Sequence, residues 1–177
     1  MTRTLRVAGQ AIAVAAVAGL LALLVWKVVN RPHSVSAALD RGQKPAAPSF
    51  DLPRLDGRGR IDLASLRGKP VVLDFWASWC YTCPRQTERL MAALPKYPGV
   101  VAVGIDTKDF AGAARRWVKR YRVTYPSVHD GAGKVLNRWV GGVQLPSMFF
   151  VDRRGRVVGE MVVEEDLQRY LKEISRS

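Results

Sequence analysis

Two kinds of hydrophobic pattern divide the chain. Over residues 7–25 the apolar positions run without a break, with Gln10 the single strongly polar side chain. A bilayer-spanning helix needs about 20 apolar residues, whereas the apolar part of a secretory signal is roughly 7–15 long. The run therefore predicts an uncleaved membrane anchor, residues 1–29, with a short cytoplasmic start. A cleaved signal is the rival, since Ser34-Val35-Ser36-Ala37 supplies small residues, although they lie beyond the run and behind Lys27 and Arg31. Cations on both sides of the run leave its orientation undecided by charge. Residues 30–47 carry Pro32 and Pro45 among Ser, Ala, Gly and charged residues with no apolar periodicity, and predict a flexible tether.

From residue 48 to 177 the pattern changes to short apolar segments punctuated by turn residues. Segments 50–55 and 60–63 flank Asp56-Gly57-Arg58-Gly59 and predict a hairpin, followed by a helical turn over 64–67. Segment 71–76 predicts a buried strand, 83–94 a helix that stops before Pro95, and 100–105 a central strand. Helices are expected over 110–121 and 134–140. Segments 148–151 and 156–163 flank Asp152-Arg153-Arg154-Gly155 as a second hairpin, and 164–174 closes as a helix with acidic residues in its first turn. Strands and helices in this alternation imply an α/β domain, a mixed sheet with helices on its faces.

Composition adds one question. The chain of 177 residues has a net charge of +13, and without the four cations of its first 31 residues it still carries +9. The densest cluster is Arg115, Arg116, Lys119, Arg120 and Arg122. Spacings of three and four put Ala111, Ala114, Trp117, Val118 and Tyr121 on the opposite stripe of one helix, so the cations read as its solvated face. No nucleic-acid motif accompanies them, and no nucleic acid is expected as a partner.

The only two cysteines, Cys80 and Cys83, stand in Phe75-Trp76-Ala77-Ser78-Trp79-Cys80-Tyr81-Thr82-Cys83, between a strand and a helix. Unpaired N–H groups and the dipole at a helix start stabilise an anion, which lowers a thiol there from about 8.5 into the range of roughly 3.5–7.5. Cys80, nearer the exposed turn, reads as the nucleophile; Cys83 faces inward. Two intervening residues let Cys83 displace whatever Cys80 captures.

Other uses of the pair fit less well. Haem attachment needs histidine after the second cysteine, where Pro84 stands. A tetrahedral zinc site takes four protein ligands, and the chain offers only the two thiols with His33 in the tether and His129 in a loop, so structural zinc is not expected. A Cu(I) site built from both thiols and His129 is compatible with the residue types, so a copper-delivery module stays open. A structural disulfide closing so small a loop would gain little.

The segment Val71-Val72-Leu73-Asp74-Phe75-Trp76-Ala77-Ser78-Trp79-Cys80-Tyr81-Thr82-Cys83 resembles the active-site segment of the thioredoxin superfamily. The wider pattern resembles its membrane-anchored, extracytoplasmic branch, the TlpA/ResA/CcmG-like thiol-disulfide oxidoreductases. Residues 48–72 are similar to the hairpin that branch adds before the thioredoxin core. Residues 100–140 are similar to its inserted helix and following strand, and 141–158 to the segment carrying its cis-proline.

The resemblance implies a thioredoxin-like mixed sheet flanked by helices, with an added N-terminal hairpin and one preceding transmembrane helix. It implies Cys80 as attacking and Cys83 as resolving thiol. It places Pro146 in cis against the sulfurs, Leu145 backbone pairing with an extended substrate segment, and Trp79 shielding Cys80, where ordinary packing is the plain alternative. It makes Asp74 a buried acid that relays protons with Cys83; an edge-facing, solvated aspartate is the alternative.

The acid this branch carries three positions after the second cysteine is Gln86 here, which moves the relay onto Asp74. No cofactor is implied. The implied role is reduction of protein disulfides on the extracytoplasmic side, apocytochrome c among the clients, with electrons from a membrane thiol transporter. A disulfide-forming oxidase or isomerase, and an adaptor docking through the basic helix, are the alternatives. A peroxidase is not expected, because the proline and threonine that precede its cysteine are missing around Trp76, Ala77 and Ser78.

Overall fold

A computed structural model describes residues 2–29, 34–161 and 166–177, and the chain forms two units, Met1–Pro32 and His33–Ser177. The first is helix α1, Thr2–Val29. Its described apolar side chains, Ile12, Val17, Leu20 and Leu24 among them, are exposed. Among the described residues no helix is long and apolar enough to cross a membrane, and within α1 the side chains described without interruption are those of 12–27. The helix is present where the sequence predicts an anchor.

The second unit begins earlier than the sequence predicts. Residues 34–47, expected as tether, are folded: Ser34 caps helix α2 (Val35–Asp40) by accepting the Ala37 N–H at 3.1 Å, and Val35 and Ala38 are buried. The segment continues onto the sheet, where Ala47 N–H donates to Gly155 and Val157 N–H to Pro45, each at 2.8 Å. Val35, Ala38 and Leu39 do hold the i, i+3, i+4 spacing of a buried stripe, but six residues between prolines are too few for the period to stand out. Residues 30–33 of the expected tether lie outside the described residues.

A two-stranded hairpin follows, β1 (Asp51–Pro53) and β2 (Arg60–Asp62), antiparallel, then a 3₁₀ turn over Leu63–Leu66. The main sheet has β3 (Val71–Trp76), β4 (Val101–Thr107), β5 (Ser127–Asp130), β6 (Ser147–Val151) and β7 (Val157–Met161), in the order β5-β4-β3-β6-β7. The strands β3, β4 and β5 are parallel; β6 runs antiparallel to β3, and β7 to β6. Helices α3 (Cys83–Ala93), α4 (Ala111–Arg120), α5 (Lys134–Val140) and α6 (Leu167–Arg176) cover it. Val162, Val163 and the acidic Glu164 and Glu165, expected in the last strand and helix, fall outside the described residues.

All six residues of β3 are buried, as a central strand covered on both faces requires. Side chains alternate along it. Val71, Leu73 and Phe75 join the cluster built on Trp139 and Leu136 of α5, while Val72 packs with Leu90 of α3 and Leu171 of α6. The same alternation sends Asp74 and Trp76 to the α3 side, so the strand's period places one carboxyl beneath the helix that begins at Cys83.

Gly104 lies between β3 and β5, paired with Asp74 and Ser127. A Cβ there would lie 2.5 Å from Ser127 Oγ and 2.8 Å from Trp76 Nε1. Gly104→Ala is therefore expected to destabilise the domain by about 1–3 kcal/mol, the usual cost of overpacking, read as a lower urea midpoint.

Candidate active site

β3 ends at Trp76, the chain turns through 77–82, and α3 starts at Cys83 with Pro84 in its first turn, where its missing N–H needs no partner. Cys80 and Cys83 are joined in a disulfide, S–S 2.01 Å, with a Cα–Cα separation of 5.5 Å in the ordinary range. Burial separates the two: Cys83 is 1% exposed and Cys80 7%. Both are buried, Cys83 the more deeply.

The turn is held from one side by the loop after β4. Asp109 Oδ2 accepts the Ser78 N–H at 2.6 Å, and Trp79 Nε1 donates to the Lys108 carbonyl at 3.0 Å. Trp79 is thus fixed through its ring nitrogen while its face stays exposed. Trp76 lies inside, stacked on Trp117 with ring centroids 4.1 Å apart. The Leu145–Pro146 peptide is cis, and Leu145 packs against the cluster that holds both cysteines, Trp76 and Trp117.

Asp74 is fully buried, and three donors converge on it. Gln86 Nε2 donates to Oδ1 at 2.9 Å; Thr87 Oγ1 and Tyr125 Oη donate to Oδ2 at 3.0 and 2.5 Å. Burial pushes this carboxyl above its ordinary value, and the hydrogen bonds from Tyr125, Gln86 and Thr87 offset that only in part. Tyr125 is held well above the usual phenol range, first by its own burial and then by the adjoining carboxylate. Gln86 and Thr87 follow Cys83 by three and four positions, the spacing that puts them on its face of α3. The carboxyl therefore bonds to the helical turn immediately after Cys83.

These three partners were not singled out from the sequence as a set. The i+3 and i+4 spacing from Cys83 could have flagged Gln86 and Thr87. Tyr125 reaches Asp74 from 51 residues away in the chain, with no local signal.

A second polar group lies where β4 and β5 end. His129 Nδ1 is 2.6 Å from Asp106 Oδ2, so His129 is committed to a carboxyl; among the described residues no cluster of three or more His, Cys, Asp or Glu is arranged to hold a metal ion. Asp106 is pushed up to about 8 by burial, then by the neighbouring Asp109 and Asp130. The folded protein thus holds a proton here that the unfolded chain releases near its ordinary 3.8, so this contribution to stability is full below that value and is lost as pH rises through about 8. Unfolding midpoints measured from pH 5 to 9 are expected to fall with pH, and Asp106→Asn to flatten the decline.

The strand-turn-helix disulfide, the cis peptide packed beside it and the mixed sheet define the class: a thioredoxin-like thiol-disulfide oxidoreductase. The chain belongs to the AhpC/TSA family, whose model matches residues 44–159. It is 33% identical over 134 residues to the thiol-disulfide oxidoreductase ResA of Bacillus thuringiensis subsp. konkukian, covering 73% of this chain and 76% of that protein. It is 34% identical over 129 residues to the thiol:disulfide interchange protein DsbE of Pseudomonas fluorescens biotype C, covering 68% and 70%. Among solved structures, a secreted Mycobacterium tuberculosis disulfide oxidoreductase homologous to E. coli DsbE superposes with a TM-score of 0.61 at 28% identity, covering 70% of this chain and 95% of that one.

Proposed function

We propose that this oxidoreductase works in the reducing direction on extracytoplasmic protein disulfides, with Cys80 attacking and Cys83 resolving, and that apocytochrome c is a client. The observation that carries the roles of the two sulfurs is the asymmetry of the pair: Cys80, the less deeply buried, sits in the cluster against which Leu145 packs, and Cys83, at 1% exposed, heads the helix bonded to Asp74.

In the dithiol form, the Cys80 thiolate attacks a client disulfide, forms a mixed disulfide and expels one client thiolate. Asp74, as carboxylate, takes the proton of Cys83. Cys83 then attacks the Cys80 sulfur, restoring the Cys80–Cys83 bond and releasing the second client thiolate, so that two electrons pass to the client. The backbone of Leu145 pairs with the client's extended segment, and Trp79 covers one side of the reacting sulfur. A membrane thiol transporter returns the pair to the dithiol.

The continuous apolar run of α1 supports a single-pass anchor with the domain outside, and the secreted character of the similar Mycobacterium tuberculosis protein supports that side. The test is the direction of transfer. The reduced protein, mixed with a peptide carrying an oxidised Cys-x-x-Cys-His segment, is expected to release the peptide's thiols stoichiometrically, with a midpoint potential nearer about −270 than about −120 mV, the span known for such pairs. Transfer only from peptide dithiol to oxidised protein would make it an oxidase instead.

A further inference from the structure

Outside α1, the large apolar side chains exposed among the described residues are four: Trp79 (54%), Tyr81 (97%), Phe110 (85%) and Val143 (55%). Two of them flank Cys80 in the chain, and two stand on loops that touch the Cys80 turn or the cysteine cluster. Trp79 and Tyr81 flank Cys80, and Val143 stands two residues before Leu145, which packs on the cysteine cluster. Phe110 is brought in by Asp109, whose carboxylate accepts the Ser78 N–H at 2.6 Å through Oδ2 and the Phe110 N–H at 2.7 Å through Oδ1. One side chain thus ties the loop of Phe110 to the turn of Trp79 and Cys80. Scattered surface apolars are ordinary, but aromatic side chains gathered at a reactive centre are what a partner buries.

Charge lies next to this apolar group. Phe110 caps the start of α4, and the exposed Arg115, Arg116, Lys119 and Arg120 follow on that helix. A client segment that continues from Phe110 along α4 meets four cations, which favour and steer acidic residues.

We infer that Trp79, Tyr81 and Phe110 select the client: an extended protein segment carrying a large apolar side chain within two residues of its reacting cysteine, and acidic residues beyond it toward α4. This rests on the exchange reading above and adds to it which clients are taken. The aromatic rings would bury the client's apolar side chain while Cys80 engages its sulfur.

The test uses the full chain with four peptides, each holding one disulfide, that differ only in having Trp or Ser after the first cysteine and Glu or Lys three residues further on. Reduction is driven by dithiothreitol and read as kcat/KM. Wild type is expected to favour Trp over Ser by about tenfold, some 1.4 kcal/mol, and Glu over Lys by a factor that shrinks with added salt. The Trp/Ser ratio, which is internal to each protein, is expected to drop to about threefold or less in Phe110→Ser and in Tyr81→Ser, and to stay near wild type in Phe110→Leu.

A wild-type ratio near one, or one that Phe110→Ser and Tyr81→Ser leave unchanged, overturns the inference while exchange itself stands. Failure to reduce any of the peptides and also hydroxyethyl disulfide overturns the exchange reading and this inference with it.

Discussion

Replacing Cys83 with serine is expected to turn the catalyst into a trap. The variant, isolated from cells under non-reducing conditions, should carry client proteins linked to Cys80 by disulfides that dithiothreitol releases, and its multiple-turnover activity should fall to background. The reason is proximity: well-oriented intramolecular attack is worth roughly 10⁵–10⁸ M, which no millimolar external thiol replaces. The sulfurs are close enough to bond, and Cys83 is the more deeply buried of the two, so first attack is expected at Cys80. Cys80→Ser should retain no client at all. If the two variants trapped equally, or if Cys80→Ser trapped more, the assignment of roles would be reversed.

The second large effect belongs to Asp74. Asp74→Asn is expected to slow resolution of the mixed disulfide by about 10²-fold, the lower end of what a positioned proton acceptor contributes. First attack by Cys80 should change far less, because the carboxyl bonds to Gln86 and Thr87, in the turn of α3 after Cys83. The pH profile separates this from mere loss of packing. In wild type, resolution should rise as pH climbs through the elevated titration of Asp74; in the variant, the rise should follow ionisation of the thiol itself, at about 8.5 or above. Stopped-flow measurement of release from a preformed mixed disulfide reads both. The linkage sign gives an independent check: a carboxyl raised by burial holds its proton in the folded state, so Asp74 adds to the loss of stability as pH rises, and Asp74→Asn removes that share while the share from Asp106 remains.

Much of this arrangement is legible in the sequence, for identifiable reasons. Val71–Trp76 and Lys134–Val140 match their expected spans residue for residue, because one is an apolar run between turn residues and the other a periodic stretch following Gly131-Ala132-Gly133. The cysteine spacing and the strand before it carry the site. What stayed hidden depends on contacts between distant parts of the chain. Ser34–Ala47 looks like linker until its residues are seen against α5 and the turn before β7, where Ser36 Oγ donates to the Trp139 carbonyl. The short strand β5 follows Pro126 and has four residues, so only the resemblance implied it. Asp74 stood out as an acid in an apolar strand, yet the hydroxyl that approaches it most closely, from Tyr125, comes from a loop with no pattern to betray it. The exposed aromatic group beside Cys80 was equally invisible, since exposure of Phe110 and Tyr81 is a property of the folded surface.

Exchange of this kind depends on one sulfur of the pair being reactive and the other shielded. Alkylation of the reduced protein by iodoacetamide, followed residue by residue across pH, measures this directly. Cys80 is expected to react first, with a midpoint well below about 8.5, while Cys83 stays protected until the fold is lost. Equal alkylation of both cysteines with the midpoint of a free thiol would contradict it.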